Sequence, residues 1–153
     1  MSKRVFLDET GVSTDLICRY GRALGGARCR DTAPAGHWQT MTFIARLRAD
    51  RLTAPGCLNQ AMTGEAFNDY LCSQLGPVQD IIEAHAATIK YLPPYSPDLN
   101  PIEPVFAKLK ALLRKAAERT YNKFWQLIAK LMDKFQADEC LNLFRHSGYV
   151  STS

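Results

Sequence analysis

The chain has 153 residues, of which 46% are hydrophobic and 22% charged, and its formal net charge is +4. That length suits a single domain with one hydrophobic core, and the composition is ordinary for a globular protein. No apolar run approaches the ~20 residues that a membrane helix needs, and the N-terminus lacks the long apolar stretch of a secretory signal. We therefore expect a cytoplasmic protein with no membrane-spanning segment.

The five cysteines are widely spaced and form no Cys-x-x-Cys pair. An odd number at such spacing argues against a disulfide framework and against a zinc site. We interpret these cysteines as small buried side chains.

Basic residues are concentrated in two parts of the chain. The first cluster contains Arg19, Arg22, Arg28 and Arg30, and the second contains Lys108, Lys110, Arg114, Lys115, Arg119 and Lys123. Two such clusters on a small protein favour a polyanionic partner such as DNA, although a solvated helix face is the commoner meaning of a lysine-rich stretch. The residues taken forward as candidate DNA contacts are Arg19, Arg22, Lys108, Lys110, Arg114 and Lys115.

Strands are predicted in the first part of the chain. A short apolar run at residues 5–7 predicts a buried strand that ends in a polar turn at Asp8. Residues 12–36 show little periodicity, which indicates a long loop or an irregular hairpin. The β-branched and aromatic residues at 40–45 predict a second strand.

A hairpin and a helix are predicted next. Residues 52–58 are expected to return beside the second strand after a turn at Ala49 and Asp50. Pro55 in the returning strand indicates an edge position or a β-bulge. Thr63 then caps a helix whose apolar residues recur at helical spacing.

The second half of the chain is predicted to be mainly helical. Residues 78–86 show a short helical pattern, and residues 88–92 predict one more strand before a Pro-Pro pair. Asn100 is expected to cap a long amphipathic helix that begins at Pro101. Helices that start near Thr120 and near residue 138 follow. This order predicts an α/β or α+β layer in which helices pack on a small sheet.

Two acids are candidates for chemistry. Asp8 is expected at the end of an apolar strand, where functional side chains of open sheets are often found. Glu103 is expected in the first turn of the long helix. Carboxylates that converge from distant parts of a chain hold Mg²⁺ or Mn²⁺ for phosphoryl transfer. Structural alternatives also exist, because Asp8 could satisfy turn backbone and Glu103 could form a capping box with Asn100.

Two segments of the sequence, taken together, resemble motifs of a known protein family. The segment Leu-Pro-Pro-Tyr-Ser-Pro-Asp-Leu-Asn-Pro-Ile-Glu at 92–103 resembles the motif around the third catalytic acid of mariner-like DDE transposases. The segment Phe-Leu-Asp-Glu-Thr-Gly at 6–11 is similar to the strand that carries their first acid. Shorter segments at 20–23, 36–38 and 62–67 resemble bacterial insertion-sequence members in the same order, so the resemblance extends over nearly the whole chain.

The resemblance implies a fold, a reaction and a cofactor. It implies a ribonuclease-H-like α/β core, metal-dependent cleavage and joining of DNA at transposon ends, and Mg²⁺ or Mn²⁺ as the cofactor. By motif, Asp8 is the first metal-binding acid and Glu103 the third. We expect one DDE-type catalytic domain over 1–153, with the core at about 1–117 and a helical C-terminal part at about 118–149.

The chain departs from the family pattern in two places. The family usually has a helix-turn-helix region before the first catalytic strand, whereas this sequence begins at that strand. The apolar strand that should end in the second acid, between Leu75 and Thr88, is missing, so we expect a core reduced by one central strand. Asp80 and Glu83 lie there in a helical pattern, and we do not expect either to replace that acid.

Three functional hypotheses follow from these features. The chain could be an active transposase or nuclease, a catalytically impaired remnant that still binds DNA or pairs with an intact transposase or a second copy, or an inert product. The absent acid favours the second and third hypotheses over the first. The apolar residues Phe124, Trp125, Leu131 and Phe135 could mediate pairing, but covering the chain's own sheet is their simpler role.

Overall fold

The structure of the chain is a computed structural model, which describes residues 4–16, 21, 23–28, 38–75, 88–118 and 120–150. Its described strands are β1 (Val5–Ser13), β2 (Thr40–Arg48) and β3 (Leu52–Leu58). The described α-helices are α1 (Gly64–Leu75), α2 (Glu103–Ala116), α3 (Tyr121–Met132) and α4 (Ala137–His146). Short 3-10 turns lie at Leu24–Gly26 and Pro97–Leu99. None of these helices is long and apolar enough to cross a lipid bilayer.

The three strands form an antiparallel sheet in the order β1-β2-β3. β1 pairs with β2 along its whole length, from Val5 opposite Arg48 to Ser13 opposite Thr40. The predicted end of the first strand at Asp8 is therefore wrong, because β2 supplies backbone partners for five more residues. Asp8 lies opposite Ala45 inside the strand, and the polar residues after it are strand residues rather than a turn.

The predicted hairpin of β2 and β3 is confirmed, and it contains the predicted irregularity. Ile44 lies opposite Gly56, but Arg46 lies opposite Thr53, so two residues of β3 face one residue of β2. This β-bulge includes Pro55, whose missing N–H is tolerated where the ladder is interrupted.

α1 packs on one face of the sheet. Thr63 caps the helix as predicted, because its Oγ1 accepts a hydrogen bond from the Ala66 N–H at 3.2 Å. The ring of Tyr70 lies directly over Gly56, so closely that a Cβ at Gly56 would lie 2.5 Å from Tyr70 Cε2. Gly56 shares its face of the sheet with Ile44, its partner on β2.

The opposite face of the sheet forms the main hydrophobic core with α2, α3 and α4. Phe43 of β2 meets Phe106 of α2 edge to face, with the ring centroids 6.1 Å apart. The buried residues that build this core are Val12, Met41, Phe43, Ala45, Leu47, Leu52, Ile102, Val105, Phe106, Leu109, Leu113, Phe124, Ile128, Leu131, Phe135, Cys140 and Phe144. Sequence periodicity predicted the apolar sides of α2 and α3 correctly. Phe124, Leu131 and Phe135 are thus used within this chain, and only Trp125 of the proposed pairing residues is half-buried.

The strand predicted at 88–92 is wrong. Residues 88–93 have no regular secondary structure, and no described strand pairs with them. Ile89 is 50% exposed and Tyr91 92% exposed. β-branched and aromatic residues favour a strand only where a neighbouring strand and a packing surface are available, and the described residues provide neither here. The helical pattern at 78–86 and the place expected for the missing strand lie outside the described residues.

Candidate active site at the junction of β1 and α2

Asp8 points toward the helix layer that contains α2. It lies opposite Ala45, whose side chain is buried in the main core. Because alternate residues of a strand share a face, Asp8 shares this face with Phe6 and Val12. Its carboxylate is half-buried at the margin of the core. The core face of the sheet therefore presents an acid beside the first turn of α2.

Asn100 connects Asp8 to the motif at 92–103. Its side-chain Nδ2 donates a hydrogen bond to Asp8 Oδ2 at 2.7 Å, across 92 residues of sequence. The other oxygen, Asp8 Oδ1, accepts the backbone N–H of Glu9 at 2.9 Å. Each carboxylate oxygen thus has one hydrogen bond and keeps further acceptor capacity. The two hydrogen bonds fix the orientation of the carboxylate.

The predicted capping role of Asn100 is wrong in detail. α2 begins at Glu103, with Ile102 as the N-cap residue, and a 3-10 turn at Pro97–Leu99 precedes it. The Asn100 carbonyl accepts the Glu103 N–H at 3.2 Å, and its Oδ1 accepts the Ile102 N–H at 3.4 Å. The amide of Asn100 therefore accepts a local hydrogen bond through oxygen and donates to Asp8 through nitrogen. Aspartate or serine, the other common capping residues, would lack that amide donor.

Glu103 is the first residue of α2 and is exposed. The positive end of a helix dipole favours a carboxylate at this position. Its charge also reaches Glu9: desolvation by burial, then the Asp8 carboxylate and, more weakly, Glu103 raise the pKa of the Glu9 carboxyl above its ordinary value. Both candidate acids therefore influence Glu9, which sequence reasoning did not select. Its position directly after Asp8 was the only available signal.

Tyr149 braces the loop that positions Asn100. Its hydroxyl donates a hydrogen bond to the Leu99 carbonyl at 2.7 Å. Its ring lies 4.7 Å from the Phe6 ring, and the Arg4 guanidinium lies 5.3 Å from its centroid. Gly148, at φ 78°, lets the chain leave α4, and the Tyr149 N–H then bonds to the Phe144 carbonyl at 2.9 Å. The sequence prediction missed Tyr149, because nothing local links it to residue 99.

The donor set suits a divalent cation in type but is small in number. Asp8 and Glu103 supply the hard carboxylate oxygens that Mg²⁺ and Mn²⁺ prefer. Within the described ranges, no three His, Cys, Asp or Glu side chains are grouped as a metal site requires. Asp80 and Glu83 lie outside those ranges. Asp8 and Glu103 are thus two candidate ligands for a metal that usually has more from the protein or its substrate.

The structure separates the candidate DNA contacts. Lys108 Nζ lies 2.6 and 2.7 Å from the two carboxylate oxygens of Glu139 and 4.8 Å from the Phe135 ring centroid, so it links α2 to α4. Lys110 and Arg114 are half-buried on α2, whereas Lys115 is exposed in its last turn. Arg19 and Arg22 lie outside the described residues.

Comparison with known proteins gives a family match over part of the chain. Residues 73–128, which include Glu103 and Asn100, match the DDE superfamily endonuclease family. The matched segment is 56 of the 153 residues, a little over a third of the chain. No curated protein sequence matches the chain significantly.

A solved structure has a similar fold. The chain is similar to the crystal structure of the Mos1 mariner paired end complex with Mn, with a TM-score of 0.66 and 16% sequence identity. The similarity covers 94% of this chain and 52% of that one, so the chain spans about half the length of its structural relative. At this identity the likeness concerns the fold, and the predicted ribonuclease-H-like α/β class is confirmed.

Proposed function

We propose that the chain is the catalytic-domain part of an insertion-sequence transposase, in which Asp8 and Glu103 are the remaining metal-binding acids. The hydrogen bond from Asn100 to Asp8 carries this proposal, because it joins the two motifs that are most similar to the family. The match of residues 73–128 to DDE superfamily endonucleases supports the role of Glu103. Asp8 lies outside that match, so its proposed role rests on its place in the fold.

The chain's own residues can hold and orient a cation at this site. Asn100 and the Glu9 N–H fix the Asp8 carboxylate, and Tyr149 holds the loop from which Asn100 projects. Glu103 offers an exposed carboxylate from the first turn of α2. Bound Mg²⁺ or Mn²⁺ supplies charge for activating an attacking oxygen and stabilising the leaving oxygen of a phosphodiester.

We further propose that catalysis is impaired. The sequence between Leu75 and Thr88 contains no apolar strand followed by an aspartate, which the family's second acid requires. Fewer ligands weaken cation binding and leave neighbouring carboxylates repelling one another.

DNA binding is the function that such a domain would retain. The formal net charge is +4, and basic side chains occupy the C-terminal half of α2. Lys115 is the best placed of the predicted contacts because it is exposed, whereas Lys108 is engaged with Glu139. Pairing with an intact transposase or a second copy is the alternative, but most of the apolar residues that could mediate it are buried in this chain.

Nicking of supercoiled plasmid in Mn²⁺ tests the proposal, with the parent chain beside Asp8→Asn and Glu103→Gln. We expect little or no nicking by the parent, together with DNA binding in a gel-shift assay at low salt. Efficient nicking that both variants abolish would contradict impaired catalysis and establish the two acids as catalytic. A folded parent chain that neither nicks nor binds DNA would contradict the transposase proposal as a whole.

A further inference from the structure

A shallow groove lies between the C-terminal end of α2 and the exposed side of α3, far from the acids. Its volume is about 340 Å³. We call it the α2–α3 groove, and its lining residues are Ala116, Glu118, Lys123, Gln126, Leu127 and Lys130. Lys123 belongs to the second basic cluster but was not taken forward as a DNA contact, and Lys130 lies outside both clusters.

Two lysines of α3 supply positive charge along this groove. Lys123 and Lys130 are seven residues apart, so they lie on the same side of the helix about 10 Å apart along its axis. Both are exposed, and neither forms an ion pair within the described part of the chain. Lys108 differs, because its ammonium group is paired with Glu139. The groove therefore offers two cations that no described carboxylate neutralises directly.

The lining chemistry fits a phosphate backbone better than bases. No aromatic side chain is among the described residues that line the groove, so it offers no stacking platform for unpaired bases. Gln126 adds an amide donor between the two lysines, and such donors commonly contact phosphates. We propose that the α2–α3 groove contacts the phosphate backbone of duplex DNA. This inference deepens the DNA binding proposed above and depends on it.

The groove lies at the opposite end of α2 from the acid site. α2 runs from Glu103 at the acid site to Ala116 at the groove, 14 residues in all. At about 1.5 Å per residue, the two ends of the helix are ~20 Å apart. That separation corresponds to about six base pairs at ~3.4 Å each. The groove would therefore hold the flank of a duplex rather than the phosphodiester at the acids.

The negative charge of Glu118 opposes the positive charge of the two groove lysines, so removing it should strengthen DNA binding rather than weaken it. Its carboxylate accepts hydrogen bonds from the Thr120 N–H at 3.3 Å and from Thr120 Oγ1 at 3.0 Å. Glutamine at this position keeps an oxygen acceptor and removes the negative charge. We therefore expect Glu118→Gln to bind DNA severalfold more tightly than the parent.

The experiment is a salt titration of binding to a fluorescent duplex of about 30 base pairs, followed by anisotropy. The parent is compared with Lys123→Gln/Lys130→Gln and with a matched control, Lys134→Gln/Arg145→Gln. Both double variants lose two exposed positive charges, but the control residues do not line the groove. Thermal melting of each variant establishes that it is folded.

The slope of log K against log salt is negative, and each lost phosphate contact should reduce its magnitude by ~0.9, so we expect a reduction of ~1.8 for the groove variant. The control should retain the parent slope. Equal decreases in both variants would overturn the groove assignment, because net charge alone would then explain them. An unchanged groove variant would overturn it while leaving DNA binding intact. Absence of parent binding would instead contradict the proposed function, and the groove assignment with it.

Discussion

The packed layers and the acid site are held together by different forces. The sheet and its helices share one apolar core in which Phe43, Phe106 and Phe144 are almost fully buried. The acid site depends on single polar contacts, notably Asn100 to Asp8 at 2.7 Å and Tyr149 to Leu99 at 2.7 Å. Burial of apolar area contributes more stability than one partly exposed hydrogen bond. The fold should therefore tolerate changes at the acid site that alter its charge and geometry.

The largest expected effect is in the core. Phe106→Ala removes a ring that is 1% exposed and packs against Phe43. We expect a loss of about 3–5 kcal/mol in the free energy of unfolding. Tyr95→Ala is the matched control, since Tyr95 is fully exposed beside the acid site, and it should change stability by less than about 0.5 kcal/mol. Chemical denaturation measures both, and similar losses would contradict the comparison.

The contact between α1 and the sheet comes next. Gly56→Ala would place a methyl group 2.5 Å from Tyr70 Cε2, so the helix or the ring must move. We expect a loss of about 1–3 kcal/mol in the free energy of unfolding. Gly11→Ala serves as the control, because nothing lies within 4 Å of its added Cβ. If Gly56→Ala were as stable as Gly11→Ala in the same denaturation assay, α1 would not pack as described.

A smaller effect is expected for Asn100. Asn100→Ala removes the hydrogen bond to Asp8 and should cost about 1–2 kcal/mol. Asn100→Asp should cost more near neutral pH, because it places a second carboxylate against Asp8. Melting curves at about pH 7 and about pH 4 separate the loss of the hydrogen bond from the charge repulsion. The difference between the two variants should shrink at the lower pH, and a difference independent of pH would show that charge repulsion is not its cause.

The smallest effect concerns Glu9. Its pKa is raised in the folded protein, so the folded state holds this proton more tightly than the unfolded chain does. The protonated Glu9 carboxyl therefore stabilises the folded protein at pH values below its ordinary pKa of 4.5, and this stabilisation is lost as pH rises through the folded-state pKa. Glu9→Gln should therefore be more stable than the parent at about pH 7, by less than about 1 kcal/mol because Glu9 is exposed. At about pH 4 the two proteins should be equally stable. A destabilised Glu9→Gln at neutral pH would contradict this assignment.

Local pattern predicted the packed layers better than the acid site. The hairpin with its bulge at Pro55, the Thr63 cap and the apolar sides of α2 and α3 follow from short-range periodicity and were predicted correctly. The length of β1 was not predicted correctly, because residues 9–13 pair with β2 residues that lie 27 to 35 positions further along the chain. The strand predicted at 88–92 failed because composition alone does not provide a pairing partner.

The acid site shows the same limit. Motif resemblance brought Asp8 and Glu103 forward together, but the amide that links them, Asn100, was interpreted only as a helix cap. Lys108 was taken for a DNA contact because its partner Glu139 is 31 residues away and on another helix. Tyr149 reaches Leu99 across 50 residues. Such contacts depend on how the layers stack, which single-sequence periodicity does not encode.

Mn²⁺ binding tests most directly the claim that Asp8 and Glu103 form one metal site. Electron paramagnetic resonance of free Mn²⁺ would be followed during titration of the parent, Asp8→Asn, Glu103→Gln and a distant control, Asp138→Asn. We predict weak binding by the parent and the control and its loss in both acid-site variants, because each removes one of the two proposed ligands. Equal Mn²⁺ affinity in all four proteins, or none in the folded parent, would contradict the assignment of these acids to a shared metal site.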